Sequence, residues 1–194
     1  MGLGFYKLSI GEGNDKVNSV ALCRGDIKPD VCLRCLSDSV VILQRICPTQ
    51  KAAIGYYEYC LLKYSNENIL GSTLINFYVF LPNTQNATDI DRFNGALAPL
   101  MRDLISDASA GGGQQKFASG NTSSDLSTIY GLVQCTPDLS KQQCSDCLED
   151  LISRIAIWFN GKVGGRIFVP MCNIRYETYR FFNGSTLVIP QPVF

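Results

Sequence analysis

Apolar residues recur at helical spacing in three places along this 194-residue chain. Between Asp89 and about Ser109, residues Phe93, Leu97, Leu100, Leu104 and Ile105 fall three or four apart, the pattern of a helix with one buried stripe. Asp89 is placed to cap its start, and Ala110-Gly111-Gly112-Gly113 to end it. A second helix opens at Ser140 or Lys141 and runs to about Phe159, with Cys144, Cys147, Leu148, Leu151, Ile152, Ile155 and Trp158 on or near one face. A third runs from Pro29 to about Ile46, with Pro29 in its first turn, where a missing N–H costs nothing.

Strand patterns lie between these helices. Phe77 to Leu81 is aromatic and β-branched, Thr128 to Thr136 leads into a cysteine, and Gly164 to Tyr176 predicts one long strand. Tyr179 to Val188 predicts a last strand, and Gly55 to Tyr64 a strand in the N-terminal third. Two helices with four or five mostly sequential strands predict an α+β fold on an antiparallel sheet.

The cysteines show that part of this pattern occurs twice. Cys-x8-Cys-x2-Cys appears as Cys23, Cys32, Cys35 and again as Cys135, Cys144, Cys147. A fourth cysteine follows each at equal spacing, Cys60 and Cys172, so all four pairs share one offset of 112 positions. The chain is therefore two copies of one small disulfide module. At this offset Phe5 falls on Phe117, Leu36 on Leu148 and Asp38 on Asp150. The strand at Phe77 to Leu81 and the helix at Asp89 to Ser109 have no counterpart in the first copy. The division expected is 1–67 for an incomplete first domain, 68–75 for a polar linker, 76–188 for a complete second domain and 189–194 for a Pro-containing tail.

Composition narrows the function. Lys plus Arg equals Asp plus Glu at 17 each, which leaves no basic field for a nucleic-acid backbone. Histidine is absent, which removes the commonest general base and a common zinc ligand. A hydrophobic share of 46% supports packed cores. No apolar run is long enough to span a bilayer. Met1 to Tyr6 has neither the basic nor the apolar region of a signal peptide. The cysteine count nevertheless reads as secreted. Three Asn-x-Ser/Thr sequons, at Asn86, Asn121 and Asn183, agree with it as N-glycosylation sites. A chain beginning downstream of its signal peptide reconciles the two.

Cys32-Leu33-Arg34-Cys35 and Cys144-Ser145-Asp146-Cys147 can be read as redox motifs or as zinc ligands. Both readings leave Cys23, Cys60, Cys135 and Cys172 without a purpose. No Ser, Cys or carboxylate has the partners needed for catalysis. Neither a cofactor nor a metal is expected.

The doubled Cys-x8-Cys-x2-Cys resembles the plant ginkbilobin-type, or stress-antifungal, domain. The segments carrying the resemblance are Ile129 to Ser140, Gly164-Gly165-Arg166, Cys172 to Glu177, and Ala21 to Asp26. Two such domains in tandem are similar to the extracellular region of plant cysteine-rich receptor-like kinases and to cysteine-rich repeat secretory proteins. The resemblance implies two helices on a five-stranded antiparallel sheet per domain, and bridges Cys23–Cys32, Cys35–Cys60, Cys135–Cys144 and Cys147–Cys172. It also implies a third bridge per domain. In the second copy both of its positions are non-cysteine, and in the first only Cys47 remains, as a free thiol whose partner would precede Met1. The tail Ile189-Pro190-Gln191-Pro192 looks like the stalk that precedes a membrane span in the kinases. Carried over residue by residue, a mannose site implies Asn83, Arg166 and Glu177, while the first copy has Ile54 and Ser65 at the last two places.

The function implied is a non-catalytic extracellular recognition module, apoplastic, acting in stress or defence signalling. Its partners would be a mannose-like carbohydrate, an apoplastic peptide or protein, or a partner ectodomain. A secreted antifungal mannose-binding protein is the alternative, and a thiol oxidoreductase the third reading.

Overall fold

A computed structural model describes residues 4–111, 116–124, 127–184 and 187–188 of the chain. The fold divides into two compact units, Met1–Ser72 and Thr73–Phe194. The expected tail at 189–194 lies outside the described residues.

The first unit contains β1 (Phe5–Ile10), β2 (Val17–Cys23), α1 (Pro29–Ile46), β3 (Ala52–Tyr56) and β4 (Cys60–Ser65). Its sheet runs β1-β2-β4-β3, antiparallel throughout. The second unit contains β5 (Val79–Pro82), α2 (Ile90–Ala110), β6 (Phe117–Ser124), β7 (Ser127–Cys135), α3 (Lys141–Trp158), β8 (Gly165–Phe168), β9 (Cys172–Glu177) and β10 (Leu187–Val188). Its sheet runs β10-β6-β7-β9-β8-β5, antiparallel except for β10 beside β6. The fold is thus α+β. Among the described residues the first unit has one helix where the second has two.

Local sequence explains the helices. The Asp89 carboxylate accepts the Arg92 backbone N–H at 3.0 Å, which satisfies an orphan donor at the start of α2. Ser140 and Gln143 close a reciprocal capping box at the start of α3, at 3.2 and 2.8 Å. Inward from these caps, α2 buries Phe93, Leu97, Leu100, Met101, Leu104, Ile105 and Ala108. They meet Leu148, Leu151 and Ile155 of α3 and Ile129, Val133, Ile167, Ile174 and Tyr176 of the sheet in one core. Each fully buried aliphatic or aromatic side chain there contributes about 1.5–3 kcal/mol.

Four disulfides tie the helices to the sheets: Cys23–Cys32, Cys35–Cys60, Cys135–Cys144 and Cys147–Cys172. The two copies match closely, with Cα separations of 5.6 and 6.0 Å in the first and 5.8 and 6.3 Å in the second. Cys47, at the C-cap of α1, is free and half-buried.

Three strand expectations change. The long strand over Gly164 to Tyr176 is a hairpin, β8 and β9, turning at Val169-Pro170-Met171. Pro170 has no N–H for a ladder, and the Val169 N–H instead donates to the Cys172 carbonyl at 3.0 Å. The equivalent strand over Gly55 to Tyr64 likewise folds as β3 and β4, with the Tyr57 N–H on the Cys60 carbonyl at 2.9 Å. The strand expected over Tyr179 to Val188 is confined to Leu187–Val188 among the described residues. Finally, β1 and β6 are strands beyond those expected, although Tyr6, Leu8 and Ile10 of β1 do alternate with polar residues. In Phe117–Ser124 the small Ala118 packs under α2, while Phe117 packs on the opposite face with Leu132 and Phe182.

Candidate functional site

The edge of the second sheet brings Asn83 and Glu177 together. Asn83 follows β5, and its backbone N–H donates to the Gly164 carbonyl at 2.9 Å. Its side-chain Nδ2 donates to Glu177 Oε2 at 3.1 Å, and its Oδ1 accepts the Gln85 N–H at 3.0 Å. Glu177 ends β9 and is buried. Gly164 lies directly beneath its carboxylate, and a Cβ on Gly164 would collide with it. That glycine is therefore required by close approach, not by backbone conformation.

Arg166 is on β8, where register places it between Leu81 of β5 and Arg175 of β9. It is half-buried, one step along the strands from the Asn83–Glu177 pair. The ionic partner of Glu177 is Arg175, with Nε to Oε1 at 3.5 Å and both side chains 8% exposed. The two alternate along β9 and so share one face. Arg175 also donates to the Tyr179 hydroxyl at 2.9 Å and lies 4.0 Å from the Phe181 ring centre.

The segment after β9 thus folds back over the sheet face opposite α2 and α3. Phe182 is buried there with Phe117 and Leu132, and its ring packs against Tyr130 at 5.9 Å. In the first unit, Lys63 stands at the Arg175 position and donates to the Ile69 carbonyl at 3.5 Å, while Ser65 replaces Glu177. The acid–base pair is a feature of the second unit alone. Arg175 carried a sequence signal, since it stands two residues before Glu177 in a strand. Tyr179 and Phe181 carried none, because only the reversal of the chain brings them over the sheet.

A second polar cluster joins β5's approach to α3. Tyr78 donates to Asp150 Oδ2 at 2.8 Å, and Arg154 Nη2 donates to the Tyr78 hydroxyl at 2.6 Å. The Arg154 guanidinium lies 3.9 Å from the Tyr78 ring centre. Burial, and then the hydrogen bond to Asp150, pushes the Tyr78 phenol upward. Phe80 stacks on the exposed Trp158 at 4.8 Å.

The two Cys-x-x-Cys pairs do not close on themselves. Cys32 and Cys35 bond to Cys23 and Cys60, and Cys144 and Cys147 to Cys135 and Cys172. Among the described residues no group of three His, Cys, Asp or Glu is placed to hold a metal. None of their helices is long and apolar enough to cross a membrane. Of the sequons, Asn86 and Asn183 are exposed, Asn121 is half-buried opposite Tyr130 in β6, and Ser185 of the third sequon lies outside the described residues.

Two tandem, disulfide-bridged antiparallel sheets of one pattern define the class of tandem cysteine-rich α+β modules. The sequence profile of the family described as "Salt stress response/antifungal" matches residues 2–67 and 82–179. The chain belongs to that family. It is 37% identical to cysteine-rich receptor-like protein kinase 8 of Arabidopsis thaliana over 97% of its own length and 28% of the kinase. It is 38% identical to cysteine-rich repeat secretory protein 38 of the same plant, over 92% of this chain and 71% of that protein. The tandem DUF26 ectodomain of the Arabidopsis thaliana cysteine-rich receptor-like protein PDLP8 has the same fold. Its TM-score is 0.75 at 22% identity, over 90% of this chain and 80% of that one. The chain therefore spans under a third of the receptor-like kinase it matches.

Proposed function

We propose that this chain is a non-catalytic extracellular recognition module, working as the ligand- or partner-binding part of a receptor-like protein or as a secreted relative in stress or defence signalling. The observation that carries this reading is that eight of the nine cysteines are committed to four bridges, two per unit. Bridges of this density persist in oxidising compartments and stabilise small domains displayed there. The ionisable groups at the sheet edge support binding over turnover. Glu177 is held by Asn83 and Arg175, which fixes its geometry.

Within this reading, the β5–β8–β9 edge is the proposed contact for a carbohydrate. Arg166 offers donors to vicinal hydroxyls, and the Asn83–Glu177 pair stands beside it as a preset acceptor and amide. A glycan array including mannan, probed with the oxidised chain and with Arg166→Ala, tests it. Binding lost on Arg166→Ala supports the carbohydrate contact. Binding unchanged by Arg166→Ala places the contact elsewhere. No glycan binding, with retained binding to an apoplastic protein extract fraction, leaves recognition of a protein as the function and removes the sugar.

A further inference from the structure

We infer that Asn86 carries an N-linked glycan whose first N-acetylhexosamine folds back into a cavity of about 230 Å³ at the start of α2, so that the sugar completes the surface of the second unit. The sequon Asn86-Ala87-Thr88 stands in the segment between β5 and α2. Its backbone is fixed. Asn86 bridges Lys162, the Ala87 N–H donates to the Gly161 carbonyl at 2.7 Å, and the Val163 N–H donates to the Gln85 carbonyl at 3.2 Å. Asn86 and Thr88 are both exposed, so the acceptor amide and the hydroxyl of the sequon are open to solvent on a held loop. The inference rests on the extracellular reading only in that transfer to Asn86 requires passage through a secretory compartment.

The cavity beside it has the chemistry of a sugar seat. Phe93 and Val163 line it with apolar surface, and Thr88, Arg92, Ser127 and Thr178 line it with hydroxyls and a guanidinium. Phe93 also belongs to the buried core, which makes that part of the lining rigid. A pyranose has a C–H face and a rim of hydroxyls, so an apolar floor with a polar rim matches it. Its N-acetyl group adds a methyl for the floor and an amide for the rim. A neutral sugar suits the site better than an ion, since Asp89 and Arg92 bring opposite charges to the same cavity.

Attachment selects the occupant. Asn86 is itself part of the cavity wall, so a sugar bonded to it starts at the mouth of the seat. A short tether gives an effective concentration of roughly millimolar order, and weak contacts then suffice to hold the ring. In the transfer, Asn86 Nδ2 bonds to the anomeric carbon of a lipid-diphosphate-linked oligosaccharide. The bond from that carbon to the diphosphate oxygen breaks, the diphosphate leaves with the electron pair, and the amide releases one proton. The seat sets this sequon apart from the one at Asn121, which is half-buried within β6 opposite Tyr130.

The test uses the full oxidised chain, secreted from a eukaryotic host behind a supplied signal sequence and trimmed enzymatically to one N-acetylglucosamine per site. Glycopeptide mass spectrometry should find Asn86 occupied. Compared with Asn86→Gln, the hydrogen-bonded amides of Ala87 and Phe93 should exchange at least ~3-fold more slowly. NMR should show the sugar's N-acetyl methyl in contact with Phe93 or Val163. Asn86 and Arg92 are exposed, so substitutions there leave the fold intact. Arg92→Ala, which keeps the sequon, should weaken the protection while Asn86 stays occupied. An unoccupied Asn86 on the secreted, folded chain overturns the inference. So does an occupied Asn86 whose sugar leaves exchange unchanged and touches neither Phe93 nor Val163, because the glycan then projects into solvent. A seated sugar on a chain that recognises no glycan or protein partner would remove the recognition function and keep this inference.

Discussion

Gly131 and Ser19 occupy the same place in the two copies of the fold, yet only Gly131 has a helix pressed against it. Leu104, Met101 and Leu100 would stand 2.8, 3.1 and 3.2 Å from a Cβ on Gly131. Ser19 adds a hydroxymethyl group at the place where Gly131 lets α2 approach. Both strands make the same antiparallel ladders, each flanked by two neighbours.

It follows that Gly131→Ser overpacks the second unit and costs about 1–3 kcal/mol. The reciprocal change, Ser19→Gly, should cost no more than about 1 kcal/mol, the backbone-entropy effect alone. Urea unfolding of each variant, followed separately in the two units by hydrogen exchange, reads both values. A large loss from Ser19→Gly would mean that Ser19 is packed in a way the fold does not display.

The free thiol gives a count. Native oxidised protein should react with one equivalent of alkylating reagent, at Cys47, and Cys47→Ser should reduce this to none. Removing one bridge by Cys147→Ala with Cys172→Ala should lower the stability of the second unit by about 2–4 kcal/mol. Non-reducing peptide mapping that joined Cys32 to Cys35 would contradict the pairing.

Alkali should unfold the second unit through Tyr176. Its ring is buried beneath Phe93 and Phe159. Burial, and then the neighbouring Glu177 charge, raises its phenol well above the ordinary value. The folded state therefore holds a proton that the unfolded chain releases from about pH 10 upward. Stability from this group is complete below about pH 10 and falls as pH rises toward the folded-state value. Tyr176→Phe keeps the packing, loses only the 3.3 Å hydrogen bond to the Lys162 carbonyl, and should blunt the alkaline fall. A pH profile identical to that of the unaltered chain would show that another group controls it.

Much of this architecture was legible in the sequence, for physical reasons that differ by element. The helices were readable because caps and apolar stripes are local: Asp89, Ser140 and Pro29 mark starts that the structure keeps within a residue. The repeat was readable because disulfide geometry fixes cysteine spacing in both copies. The hairpin at Pro170 was missed because β-branched and aromatic residues continue on both sides of the turn. β6 was missed because Phe117–Ser124 is mostly small and polar, without the aromatic and β-branched run that marks a strand, and Ala118 owes its place to packing under α2. At the candidate site, Asn83, Arg166 and Glu177 could be placed by resemblance. The Arg175–Glu177 pair and its cover by Tyr179 and Phe181 depend on how the chain reverses after β9.

Native-state hydrogen exchange resolved by strand tests the central claim most directly, namely that the chain is one disulfide module used twice, with α2 covering only the second copy among the described residues. Amides of β7, under α2, should exchange markedly more slowly than those of β2, which is also flanked by two antiparallel strands but whose core-side face α1 covers only in part. Equal protection in the two sheets, in dilute oxidised protein without a partner, would contradict the account.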